Sequence, residues 1–149
     1  MKIGFLTDKN GYRAPIHPES IEKYSLDVHL EKDIFDYLKY SESIQNNVKT
    51  ISKVSDLDIV ACVENIEDKK IKDLKEGAIL IGIFDFEKIE DIKNLRPDIK
   101  ILSFFKLPRI SRAQNLDALS SQANLLGYAS VLRAAKETSD VVPMMTTAA

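Results

Sequence analysis

What this 149-residue chain has little of narrows its chemistry first. Its single cysteine, Cys62, excludes an intrachain disulfide, and its place inside the apolar run Ile59-Val60-Ala61-Cys62-Val63 marks it as a small buried hydrophobe in a strand. The two histidines, His17 and His29, share no metal-ligand spacing with each other or with Cys62, so no protein metal site is expected. Neither sign of charge dominates: 21 basic residues against 23 acidic ones leave a net charge of −2, which provides no field for nucleic acid or an anionic membrane. No apolar run approaches the roughly 20 residues needed to span a bilayer. The opening MKIGFLTDKN lacks the apolar core of a signal peptide, so the chain itself is expected to be soluble and cytoplasmic.

What is present suits one domain with a sizeable core, since 44% of the residues are apolar. Short apolar runs alternate with amphipathic, charged stretches: Lys2–Leu6, then a helix after Pro18; Val28–Leu30, then Asp33–Tyr40; Leu57–Val63, then Ile66–Lys75; Ala78–Phe84, then Glu87–Leu95; Ile99–Phe105, then a long helix. The run Ile79-Leu80-Ile81-Gly82-Ile83-Phe84 is too continuously apolar for a half-exposed strand, and strands covered on both faces form parallel sheets. Right-handed crossovers then distribute the helices. The expected fold is α/β, an open, doubly wound, mostly parallel sheet of five or so strands with helices on both faces, ending in a long helix of interdomain type.

Punctuation agrees with this reading. Pro18 and Glu19 suit a first helical turn, Gly77 suits a helix C-cap after Lys75-Glu76, and Arg96-Pro97-Asp98 ends a helix and turns into a strand. Ile66, Ile71 and Leu74 form one apolar stripe. The last helix is expected from about Asn115 to Lys136. Leu116, Leu119, Ala123, Gly127, Ser130 and Ala134 share one side while Leu125, Val131 and Leu132 lie around the others, so it is either a central packing helix or one that joins two domains and offers a partner surface.

Polar chemistry concentrates where charge thins out. Residues 1–108 carry 37 of the charged side chains and residues 109–149 only 7. Within the weakly charged segment stand Arg109, Gln114, Asp117 and Ser120: a guanidinium, an amide, a carboxylate and a hydroxyl in a strand-to-helix connection, where open α/β sheets bind ligands. Such a set can grip a polar planar group and contains no nucleophile–base pair, so no catalytic residue is assigned. A first-turn acid at Asp117 and a surface charge at Arg109 would explain the same residues without a ligand. Thr7-Asp8-Lys9-Asn10-Gly11 reads as a plain βα loop without a phosphate cradle, Tyr12-Arg13 as an exposed loop, and Tyr37 and Tyr40 as residues of an amphipathic helix.

The run R-I-S-R-A-Q-N-L-D-A-L-S-S-Q-A-N-L-L-G-Y from Arg109 to Tyr128 resembles the signature of the alpha subunit of proton-translocating NAD(P) transhydrogenase. The similarity continues through Ser130–Ala135 into Val142-Pro143-Met144-Met145, and more loosely covers the N-terminal domain shared with alanine dehydrogenases. The resemblance implies that Arg109, Gln114, Asp117 and Ser120 match a loop around the nicotinamide end of NAD(H). Arg109 and Asp117 would be its charged part, Ser120 would hold the carboxamide, and Gln114 would reach toward the nicotinamide ribose. It further implies residues 1–135 as an N-terminal α/β domain and 136–149 as a linker toward a Rossmann domain outside this sequence. Hydride would pass to NADP(H) held by a partner subunit, coupled to proton translocation. The expected partners are the rest of the alpha subunit, the beta subunit and a second alpha copy, with membrane contact, at the inner membrane, only through the complex.

Three departures stand beside the match. Gly11-Tyr12-Arg13-Ala14-Pro15-Ile16-His17-Pro18 is a worn version of the family's opening motif, Val63-Glu64-Asn65-Ile66 lacks the expected basic and proline residues, and no Gly-x-Gly-x-x-Gly turn occurs. The isolated chain is therefore expected to be catalytically silent. The alternatives are part of an alanine dehydrogenase-like enzyme, which lacks the Arg-Ala-Gln…Asp…Leu-Ser-Ser-Gln run, or a non-catalytic fragment acting only as a packing partner.

Overall fold

In the computed structural model the described residues are 1–8, 13–23, 27–34, 48–108 and 110–138. Six strands, β1 (Lys2–Phe5), β2 (Asp27–Leu30), β3 (Lys49–Thr50), β4 (Ile59–Ala61), β5 (Ile79–Gly82) and β6 (Lys100–Ser103), form one sheet in the order β3-β2-β1-β4-β5-β6. Every pairing is parallel. Helices α1 (Pro18–Lys23), α2 (Asp68–Lys72) and α3 (Phe86–Leu95) make the crossovers, and α4 (Ala118–Glu137) follows the last strand. The chain is helical again at 32–34, while most of the helix expected over Asp33–Tyr40, with Tyr37 and Tyr40, lies outside the described residues.

Side-chain alternation divides the core in two, because parallel partners in register point to the same face. Phe5, Val28 and Leu30 face α1 and pack with Ile21, Ile34 and Val48. Val60, Leu80 and Ile101 face the opposite side, where α2 contributes Ile71 and α3 contributes Ile89 and Ile92. The doubly wound expectation holds, and the stripe Ile66, Ile71, Leu74 is buried as expected. Beyond β4 the α1 face thins out: Ile79 and Ile81 are only partly covered and Leu102 on the edge strand is 55% exposed.

Several details depart from the sequence reading. The sheet has six strands because Lys49–Thr50, two exposed residues with no apolar signal, add to the edge of β2. Gly77 does not cap α2, which ends at Lys72. It occupies the turn into β5 at φ 70°, where a left-handed backbone favours glycine, and its N–H donates to Asp98 Oδ2 at 3.3 Å. Arg96 supplies the end of α2 instead, donating to the carbonyls of Lys72 and Leu74 at 2.8 and 2.7 Å while forking onto Asp98. The last helix begins at Ala118, not near Asn115, because 111–116 adopt a 3₁₀ turn first. From Ser120 to its end it is exposed on every side, so within the described chain it is not a central packing helix.

Candidate functional site

Two adjoining hollows lie beyond the carboxyl ends of the strands. The first is built by the connection from β6 to α4. Ser103 closes β6 and ties it to the loop after β5: its Oγ accepts from the Phe84 and Phe105 N–H groups at 3.0 and 3.1 Å and donates to the Phe84 carbonyl at 2.6 Å. A 3₁₀ turn at Phe104–Lys106 and then Pro108 redirect the chain, and a second 3₁₀ turn, Ser111–Leu116, delivers Asp117 to the start of α4. The hollow so formed has a volume of about 480 Å³, with Phe104, Phe105 and Pro108 on one wall and Gln114, Asp117 and Leu119 on the other.

Asp117 is the N-cap of α4 rather than a residue one turn inside it. Its Oδ1 accepts from the Ser120 N–H at 3.0 Å and its Oδ2 from the Ser120 hydroxyl at 2.6 Å, satisfying a helix-end donor and fixing both side chains together. Gln114, exposed, lies on the same wall, its carbonyl accepting from the Asp117 N–H at 3.2 Å. Three of the four residues singled out in the sequence therefore converge: Gln114 and Asp117 on one hollow, Ser120 through Asp117. Arg109 lies outside the described residues.

The second hollow, about 420 Å³, lies under the first turn of α4, where Ala118 and Gln122 face Ile16, Cys62, Val63 and Phe104. It adjoins a group of charges that the sequence reading left as plain loops. Arg13 Nε and Nη2 donate to Asp8 Oδ2 at 3.2 and 2.6 Å, and Nη1 and Nη2 donate to the Glu64 oxygens at 3.2 and 2.9 Å. Bonds from Glu64 and then Asp8 hold the guanidinium protonated beyond its already high range. Glu31 is treated similarly: burial alone would raise its pKa, but hydrogen bonds from Lys70 (2.5 Å) and from the Thr7 N–H and hydroxyl (2.9 and 2.8 Å) outweigh it and hold it below the ordinary value. Burial pushes the Cys62 thiol up to about 12, so it stays neutral and unreactive. Among the described residues no group of three His, Cys, Asp or Glu is placed to hold a metal, and no helix is long and apolar enough to cross a membrane.

A six-stranded parallel sheet in this order, with a polar strand-to-helix connection capping its carboxyl edge, is the architecture of the N-terminal domain shared by alanine dehydrogenase and transhydrogenase. The solved alanine dehydrogenase structure superposes with a TM-score of 0.58 over 74% of this chain and 35% of that one at 14% identity, a likeness of fold alone. The likeness to transhydrogenase is stronger. The solved transhydrogenase of Sinorhizobium meliloti matches with a TM-score of 0.82 and 27% identity over 99% of this chain and 48% of that chain. The NAD(P) transhydrogenase alpha subunit of Rickettsia prowazekii, in the first of its separate polypeptides, is 35% identical across the whole chain, which covers 43% of that relative. The NAD(P) transhydrogenase subunit alpha of Haemophilus influenzae is 41% identical over 60% of this chain, covering 18% of the relative. No family model matches. The chain belongs with the N-terminal part of NAD(P) transhydrogenase alpha subunits and spans less than half the length of these curated relatives.

Proposed function

We propose that this chain supplies the nicotinamide-facing wall of an NAD(H) site in an NAD(P) transhydrogenase, through Arg109, Gln114, Asp117 and Ser120. The observation that supports it is the convergence of Gln114, Asp117 and Ser120 on the connection between β6 and α4, together with the likeness to transhydrogenase alpha subunits. The donor set suits a carboxamide. The exposed Gln114 amide offers both a donor and an acceptor, while the Ser120 hydroxyl, its proton committed to Asp117, keeps lone pairs for an incoming N–H. The Arg109 guanidinium adds a cation to the same loop. When bound, a nicotinamide nucleotide supplies the hydride chemistry, and the side chains here orient and polarise it without acting as acid or base.

The rest of the alpha subunit would complete the site, and a beta subunit would hold NADP(H) and couple hydride transfer to proton translocation. A second alpha copy is the expected alpha partner. The 149 residues alone are then silent in hydride transfer. Asp117→Asn is the informative variant, because asparagine caps a helix as well as aspartate does and removes only the charge. In an enzyme reconstituted with the remaining subunits, the rate of hydride transfer from NADPH to an NAD⁺ analogue should fall about ten- to a hundredfold, the worth of one charge-assisted contact felt in the transition state. The circular dichroism spectrum should not change. An unchanged rate in that variant, or turnover by the isolated chain, contradicts the reading.

A further inference from the structure

The strand order reverses direction between β1 and β4, and the crevice beyond the carboxyl ends of such a pair is where open α/β sheets take ligands. The fold brings two basic side chains there, and carboxylates occupy both. Arg13 spends its Nε and both terminal nitrogens on Asp8, which is almost wholly buried, and on Glu64. Lys70 is paired with Glu31. Two cations thus meet three carboxylates, leaving an excess of one negative charge beside a hollow whose other walls, Ile16, Cys62, Val63, Ile83 and Phe104, are apolar or neutral. Lys88 stands on the far side of Glu64, in a separate depression that it shares with Asp85.

We infer that the Asp8–Arg13–Glu64 triad is a specificity gate: by occupying the arginine at the switch point, Glu64 makes this crevice reject small free carboxylates such as oxo acids and amino acids. An unpaired guanidinium at that position would be a bidentate carboxylate receptor. Glu64 closes it from outside, its side chain 44% exposed at the rim, while Asp8 anchors it from within. The inference concerns the crevice at β1 and β4 and does not depend on the nucleotide loop after β6.

Titration of the 149-residue chain with pyruvate, followed by nitrogen-15 chemical shifts, tests it. Glu64→Gln should bind pyruvate at least about tenfold more tightly than the wild type, the scale of one freed charge-assisted pair, with the shifts centred on Arg13 and Val63. Arg13→Gln added to Glu64→Gln should abolish the gain. Asp8→Asn provides a second route to the same opening if Glu64→Gln does not fold. Wild-type binding as tight as that of the opened variant, no gain in a folded variant, or a gain that survives loss of Arg13 overturns the inference.

Discussion

Glu31 and Arg13 carry the chemistry that neighbours in sequence could not announce. Each is an ordinary charged residue in a loop until β1, β2 and β4 lie side by side, and their partners are then 24 and 51 residues away. Glu31 leads to a pH prediction. Its pKa is depressed below 4.5, so it binds fewer protons folded than unfolded; its contribution is complete above that value and is lost as pH falls through the folded pKa. Urea midpoints should therefore fall between about pH 5 and about pH 3, and Glu31→Gln should make that fall shallower. Asp27, Asp58 and Asp98, also held low by Lys49, Lys75 and Arg96, act in the same direction, so the slope persists in part. An identical slope in the variant would show that the Thr7–Glu31–Lys70 link contributes nothing to folding. At this scale the sequence disclosed Gln114, Asp117 and Ser120, because their offsets lie within one connection, and concealed the Arg13 triad and the Ser103 tie.

Among elements, β5 is the most tightly fitted. Its last residue, Gly82, sits against the ring of Phe84 and the backbone of Cys62: a Cβ there would lie 2.5 Å from the ring and 3.0 Å from the Cys62 carbonyl. A backbone oxygen tied into the sheet cannot retreat. Gly82→Ala should therefore cost about 1–3 kcal/mol, read from the denaturant midpoint, and an unchanged midpoint would mean that the strand shifts freely. Strand and helix types were legible because continuous apolar runs and amphipathic stretches alternate along the chain. Boundaries were not. The α4 start moved because Asp117 and Ser120 bind each other, a choice between helix interior and cap that side-chain type alone leaves open.

For the whole molecule, the dominant feature is apolar surface that the described chain does not cover. α4 is 20 residues long, about 30 Å, and carries no charge from Ala118 to Leu132. Leu125 and Leu126 are 62% and 69% exposed, and Phe86, Leu102, Phe105 and Ile110 extend the apolar surface along the β6 side. Patches of this extent mark contact surfaces. Sedimentation velocity of the 149-residue chain should show reversible self-association at tens of micromolar, weakened by Leu125→Lys with Leu132→Lys. A monodisperse wild type across that range would contradict it.

The amino-acid order alone determined the alternation of strand and helix, the parallel character of the sheet, the burial of Cys62 and the polar set between β6 and α4, since each follows from periodicity or from groups a few residues apart. Tertiary structure decided the order of the strands, and with it the switch point, the pairing of Arg13 with Asp8 and Glu64, and the bare flanks of α4. Those depend on which distant segments meet. Short-range pattern carries no record of that, because the free energy that selects it comes from burying both faces of one sheet at once.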